Sequence, residues 1–67
     1  MEEKNQSEVR ERMKVLRKES GMTQTELARK ISYTSQNINQ IEKGKINPSV
    51  DVLKAYAEYF HVSIDFF

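Results

Sequence analysis

The stretch from Thr23 to Gly44, TQTELARKISYTSQNINQIEKG, constrains the fold more than any other part of the chain. It opens on a capping box: in TQTE the Thr23 hydroxyl can accept from an amide in the first turn while Glu26 reaches back to the amide of Thr23. Leu27, Ala28 and Ile31 then follow at helical spacing. SYT breaks that pattern, Thr34 is placed to cap a second short helix, and Gly44 suits its end. Two short helices joined by a tight turn are expected.

The flanking sequence surrounds this pair with more helix. Val9, Met13 and Leu16 recur at helical spacing from Ser7 to Ser20, with Gly21 placed to stop the run. MEEKNQ ahead of them is expected to be a flexible N-terminal tail (residues 1–6), which leaves residues 7–67 as one domain. After the second helix of the pair comes a connector, KINP, in which Pro48 disfavours a helical Asn47. Ser49 can cap a fourth helix through Val50, Leu53, Tyr56, Ala57 and Phe60, and Ser63 a last short one, IDFF. The fold class is therefore all-α, a bundle of five helices. Tyr56, Phe60 and Phe67 are expected in its core.

With 67 residues, one core is only marginally sufficient, so dimerisation is plausible before any motif is read. Eleven Lys and Arg against ten Asp and Glu give a formal net charge of +1, which neither demands a nucleic-acid partner nor excludes one. The absence of Cys excludes a disulfide scaffold and a thiolate metal cage. With His61 as the single histidine and no nucleophile, base and acid to assemble, neither metal, cofactor nor enzymatic activity is expected. No apolar run approaches the ~20 residues that cross a bilayer, and the start does not resemble a signal peptide. A cytoplasmic protein is expected, with no membrane partner.

The helix after Thr34 is odd as a surface helix. It carries four side-chain amides, Gln36, Asn37, Asn39 and Gln40, where stability alone would favour Ala, Glu and Lys. At about 100° per residue, Ile38 and Ile41 define an inward direction and Gln36, Asn39, Gln40 and Lys43 gather around the opposite one, with Asn37 on the flank. An amide presents donor and acceptor in one plane, which suits adenine N6 and N7 in the major groove. Ser35 is short enough to touch a base edge from the first turn. Each amide alone also fits a solvated surface, so Ser35, Gln36, Asn39 and Gln40 are candidate base contacts, with double-stranded DNA as the partner, where this helix is the reading helix of a motif.

The order of these features resembles the Cro/C1-type (Xre) helix-turn-helix family, whose fold is that of the lambda-repressor-like domains. The matching residues are TQTELARKI for the first motif helix, TSQNINQIEKG for the second, and NPSVDVLKAYAEYFHVSID for the rest of the bundle. Ser32 and Tyr33 depart from the family's usual Gly and small aliphatic in the motif turn, so Ser32 must take up a positive φ and Tyr33 is expected toward the DNA side. The resemblance implies that helices two and three form the motif, and that the third reads the major groove by its N-terminal residues. Gln24 resembles the family's glutamine that grips the DNA backbone and braces the first residue of the reading helix. Helix starts at Gln24 and Ser49 offer amides to phosphate, and Lys43, Lys45 and Asn47 surround the loop between.

Glu42 lies in the last turn, beside the negative end of the helix dipole, where an anion is disfavoured. The resemblance supplies a reason, since the family's glutamate at this place pairs with an arginine of the first helix, here Arg17. Relatives also dimerise through the last helix, which makes Ile64 and Phe66 the candidate interface. The expected function is a sequence-specific transcriptional regulator, a repressor that binds a palindromic operator as a homodimer, nucleoid-associated, with a regulatory protein partner as an option. Competing readings are an antitoxin-type DNA-binding component of a toxin-antitoxin pair, and a protein-interaction module that keeps the fold without binding DNA.

Overall fold

The computed structural model describes residues 6–67; all of the expected tail except Gln6 lies outside the described residues. Four α-helices follow in order, α1 over Gln6–Glu19, α2 over Gln24–Ile31, α3 over Ser35–Glu42 and α4 over Val50–Phe60, and a 3-10 turn spans Ile64–Phe66. The expected fifth helix is thus a single turn. Phe66 N–H donates to the Ser63 carbonyl and Phe67 N–H to that of Ile64, the tighter i to i+3 pattern, as Phe67 turns inward and meets Tyr56 edge-on at 6.2 Å. No described helix is long and apolar enough to cross a membrane.

Helices α2, α3 and α4 each start where a side chain replaces a missing backbone acceptor. The capping box of α2 forms in full, with Glu26 N–H donating to Thr23 Oγ1 (3.1 Å) and Thr23 N–H to Glu26 Oε1 (2.9 Å). Thr34 caps α3 through the Asn37 amide and Ser49 caps α4 through that of Val52. The helix ends share a second device. Met22, Tyr33, Lys45 and Val62 each donate N–H to the carbonyl five residues back, at Arg17, Ala28, Gln40 and Ala57. The residue before each donor sits at positive φ: Gly21, Ser32, Gly44 and His61.

Two of those four positions are held by residues other than glycine, Ser32 at φ 65° and His61 at φ 59°. A left-handed backbone brings Cβ close to the following carbonyl oxygen, a strain that glycine escapes. Ser32→Gly is therefore expected to stabilise the protein by about 1 kcal/mol, raising the melting temperature by roughly 4–8 °C. A thermal melt checks it, and a lowered midpoint would show that the turn is not strained.

The core is assembled from every helix: Val9 and Met13 from α1, Leu27 and Ala28 from α2, Ile38 and Ile41 from α3, Val52, Tyr56 and Ala57 from α4, with Phe67 closing the end. Burying side chains of this size contributes about 1.5–3 kcal/mol each, before the entropy of ordering the chain. Tyr33 is half-buried and packs on this core. Val50, the first residue of α4, is 62% exposed and Val52 is buried.

Candidate nucleic-acid interface

The helix-turn-helix pair α2 and α3 packs α3 against both α1 and α2, so only one long face of α3 is left open. Ile38 and Ile41 point into the core and fix the rotation of the helix. On the open side, Ser35, Gln36 and Lys43 are exposed and Asn39 and Gln40 are half-exposed. Asn37 is half-buried, and its Oδ1 has no hydrogen-bond partner among the described residues.

Behind this face runs a line of polar contacts from α1 to the surface. Arg17 Nε donates to Glu42 Oε2 at 2.7 Å and Arg17 Nη2 to Oε1 at 2.9 Å, a two-pronged charged pair. Their side chains are 10% and 4% exposed. Arg17 Nη1 donates to the Met22 carbonyl, which fixes the guanidinium to the α1–α2 turn as well. Gln24 Nε2 donates to the same Glu42 Oε1 at 3.0 Å, and its own Oε1 accepts from Asn39 Nδ2 at 3.1 Å. The carboxylate therefore sits in the last turn of α3 because three donors hold it there, against the helix dipole.

The electrostatics follow from this geometry. Burial works against the charged form of Glu42, but the hydrogen bonds from Arg17 and Gln24 and the charges of Arg17 and Lys14 outweigh it and hold the carboxyl below the usual range. The bond to Glu42 likewise raises Arg17 above its ordinary value despite burial. Tyr56 lies close enough to feel both charges; burial first, then the charge of Glu42, pushes its phenol up.

Gln24 differs in part from its expected role. Its side chain braces Asn39, in the middle of α3, and not the first residue of that helix. One N–H of its amide remains for an outside acceptor, since Glu42 takes the other. Asn39 likewise keeps one of its two N–H donors. Lys43, Lys45, Asn47 and Ser49 all lie exposed between α3 and α4, and the Ser49 hydroxyl accepts from Val52 N–H. Ile64 and Phe66 stand 40% and 42% exposed in the C-terminal turn, with Phe66 edge-on to Phe67 at 5.3 Å. Sequence reasoning missed Arg10, which lies half-buried against the end of α3; its spacing of seven from Arg17 was the available signal.

The chain is similar in sequence and fold to known proteins. Residues 13–67 match the family described as helix-turn-helix. Two uncharacterised HTH-type transcriptional regulators of Archaeoglobus fulgidus are 39% and 37% identical over 57 residues, 85% of this chain and 81% and 80% of theirs. Another, of Methanocaldococcus jannaschii, is 35% identical over the same length and is covered to 86%. Among solved structures, the P22 c2 repressor in complex with a synthetic operator superposes with a TM-score of 0.76 at 24% identity, covering 85% of this chain and 86% of that one. Bacillus thuringiensis PlcR, in complex with the peptide PapR7 and DNA, gives 0.75 at 28% identity over 87% of this chain and 20% of its own.

Proposed function

The chain belongs to the Cro/C1-type helix-turn-helix family of DNA-binding transcriptional regulators, and from that premise we propose that it is a sequence-specific reader of the major groove that represses transcription. The observation that carries this reading is the open face of α3, where a small hydroxyl and three amides stand in place of the charged residues a solvated helix would use. Ser35 and Gln36 at the exposed N-terminal turn, followed by Asn39 and Gln40, contact base edges. Gln24, Lys43, Lys45, Asn47 and Ser49 hold phosphates on either side and supply most of the affinity.

Two copies bind a palindromic site with their reading helices about one turn of duplex apart, ~34 Å. The exposed Ile64 and Phe66 support this, as apolar groups at one end of a small domain. Double-stranded DNA and a second copy of the chain are the partners, and the cytoplasm, on the nucleoid, is the place of action. Selection of bound duplexes from a random library at stated salt tests the reading. An enriched two-fold symmetric sequence is the expected result; folded protein that enriches nothing would overturn it.

The interface has its own test. Phe66→Glu places a charge where the second copy would pack, and sedimentation should then show the dimer constant weakened at least tenfold with the fold intact. An unaltered dimer would move the interface away from the C-terminal turn.

A further inference from the structure

α1 carries cations at Arg10, Lys14 and Arg17, spaced four and three residues apart and so on one face of the helix. Arg17 is taken up by Glu42. Lys14 is half-buried and close enough to Glu42 for its charge to act on that carboxylate. Arg10 extends to the end of α3, where its guanidinium lies over Gly44. A Cβ on that glycine would meet Cζ at 3.1 Å, Nε at 3.2 Å and Nη2 at 3.3 Å. Gly44 thus serves twice, once for its φ of +81° and once by leaving room for Arg10.

Among the described residues, no hydrogen bond and no ion pair is formed by the Arg10 guanidinium. Like charge flanks the place in sequence, with Lys43 and Lys45 on either side of Gly44, and the carboxylate of Glu42, two residues before Gly44, already holds Arg17. A half-buried guanidinium has lost part of its hydration and still has five N–H donors to satisfy. Crowding further cations around it makes the place unfavourable until an anion arrives. Its planar fork matches a phosphate, and its position against Gly44 already restricts the side chain.

Position selects which phosphate. α3 is eight residues long, about 12 Å, so Gly44 stands roughly one major-groove width from the N-terminal turn that carries Ser35 and Gln36. We propose that Arg10 and Lys14 of α1, with Lys43 and Lys45, form a phosphate-binding site that grips the DNA backbone at the C-terminal end of the reading helix. It rests on the DNA-binding function proposed above and extends the footprint onto α1, outside the helix-turn-helix itself.

The test is a salt titration of binding to the selected operator and to an unrelated duplex, for the unaltered protein, Arg10→Gln, Lys14→Gln and the double variant, with melting temperatures alongside. Each lost phosphate contact should reduce the slope of log K against log salt by about 0.9. The two duplexes should weaken by the same factor, since phosphate carries no sequence. Arg10→Lys should keep the slope, and together with Lys14→Gln it carries the test if Arg10→Gln fails to fold. An unchanged slope in Lys14→Gln and in a folded Arg10→Gln would overturn the site, and a lowered melting temperature beside it would leave Arg10 as a cap on α3. Unaltered protein that binds neither duplex would instead overturn the DNA-binding reading, and the site with it.

Discussion

Glu42→Ala should lose about 3–5 kcal/mol of stability, enough to leave a large share of a 67-residue domain unfolded at ordinary temperatures. The loss arises less from the missing attraction than from what stays behind. Arg17, 8% exposed, would keep its charge with only the Met22 carbonyl to receive it, and Gln24 would lose its acceptor. Urea unfolding measures this directly. Replacing the pair together, Arg17→Met with Glu42→Leu, should recover much of the loss, because two apolar groups of similar size leave no buried charge unmatched. A single variant that melts within a degree or two of the original would mean that water already screens the pair.

The same carboxylate sets an acid limit. Its pKa is lower in the folded protein than in the unfolded chain, so the folded state is favoured in full above the ordinary carboxylate value, about 4.3. That contribution is lost as pH falls from there through the lower, folded value. Glu42→Gln should remove this part of the acid dependence, and a stability curve against pH that is unchanged in the variant would assign it to other carboxylates.

Gln36→Ala should weaken binding to the selected operator by about 1–3 kcal/mol, roughly five- to 150-fold, with no change in melting temperature. Gln36 is exposed in the first turn of α3, and its loss leaves no cavity and no unpaired buried group. Binding to unrelated DNA should be untouched. Competition titrations separate the two, and an equal loss on every duplex would make Gln36 a backbone contact. Asn39→Ala should behave differently, lowering both specific affinity and stability, because Asn39 belongs to the line of contacts that ends at Arg17.

The elements that were legible in the sequence are those defined by local chemistry. Thr23, Thr34 and Ser49 cap their helices through their own hydroxyls, and Gly21 and Gly44 end two of them, all interactions that span a few residues. The open face of α3 follows equally from periodicity, since Ile38 and Ile41 leave only one direction for the amides. Periodicity gives the direction of a Cβ, however, and not the partner an amide chooses, so Asn39's bond to Gln24 could not be read from spacing. Arg10 was hidden for a related reason: in a helix rich in charge, one more arginine looks solvated until the fold brings Gly44 beneath it. The last segment, read as a short turn capped by Ser63 but counted as a fifth helix, is a single 3-10 turn in which Phe67 meets Tyr56 edge-on.

The line from Arg17 through Glu42 and Gln24 to Asn39 also bears on the thermodynamics of recognition. An amide that is free to rotate must be immobilised when it docks, at about 0.5–1.5 kcal/mol for each such side chain. Here folding has already fixed two of them, Gln24 and Asn39, through their hydrogen bonds, so on the DNA-binding reading proposed above Gln24 reaches a phosphate and Asn39 a base edge with their rotamers selected. The entropy of association should therefore be less unfavourable than for a reading helix with loose amides, and calorimetry of Glu42→Gln at a pH where it stays folded would show that advantage shrink.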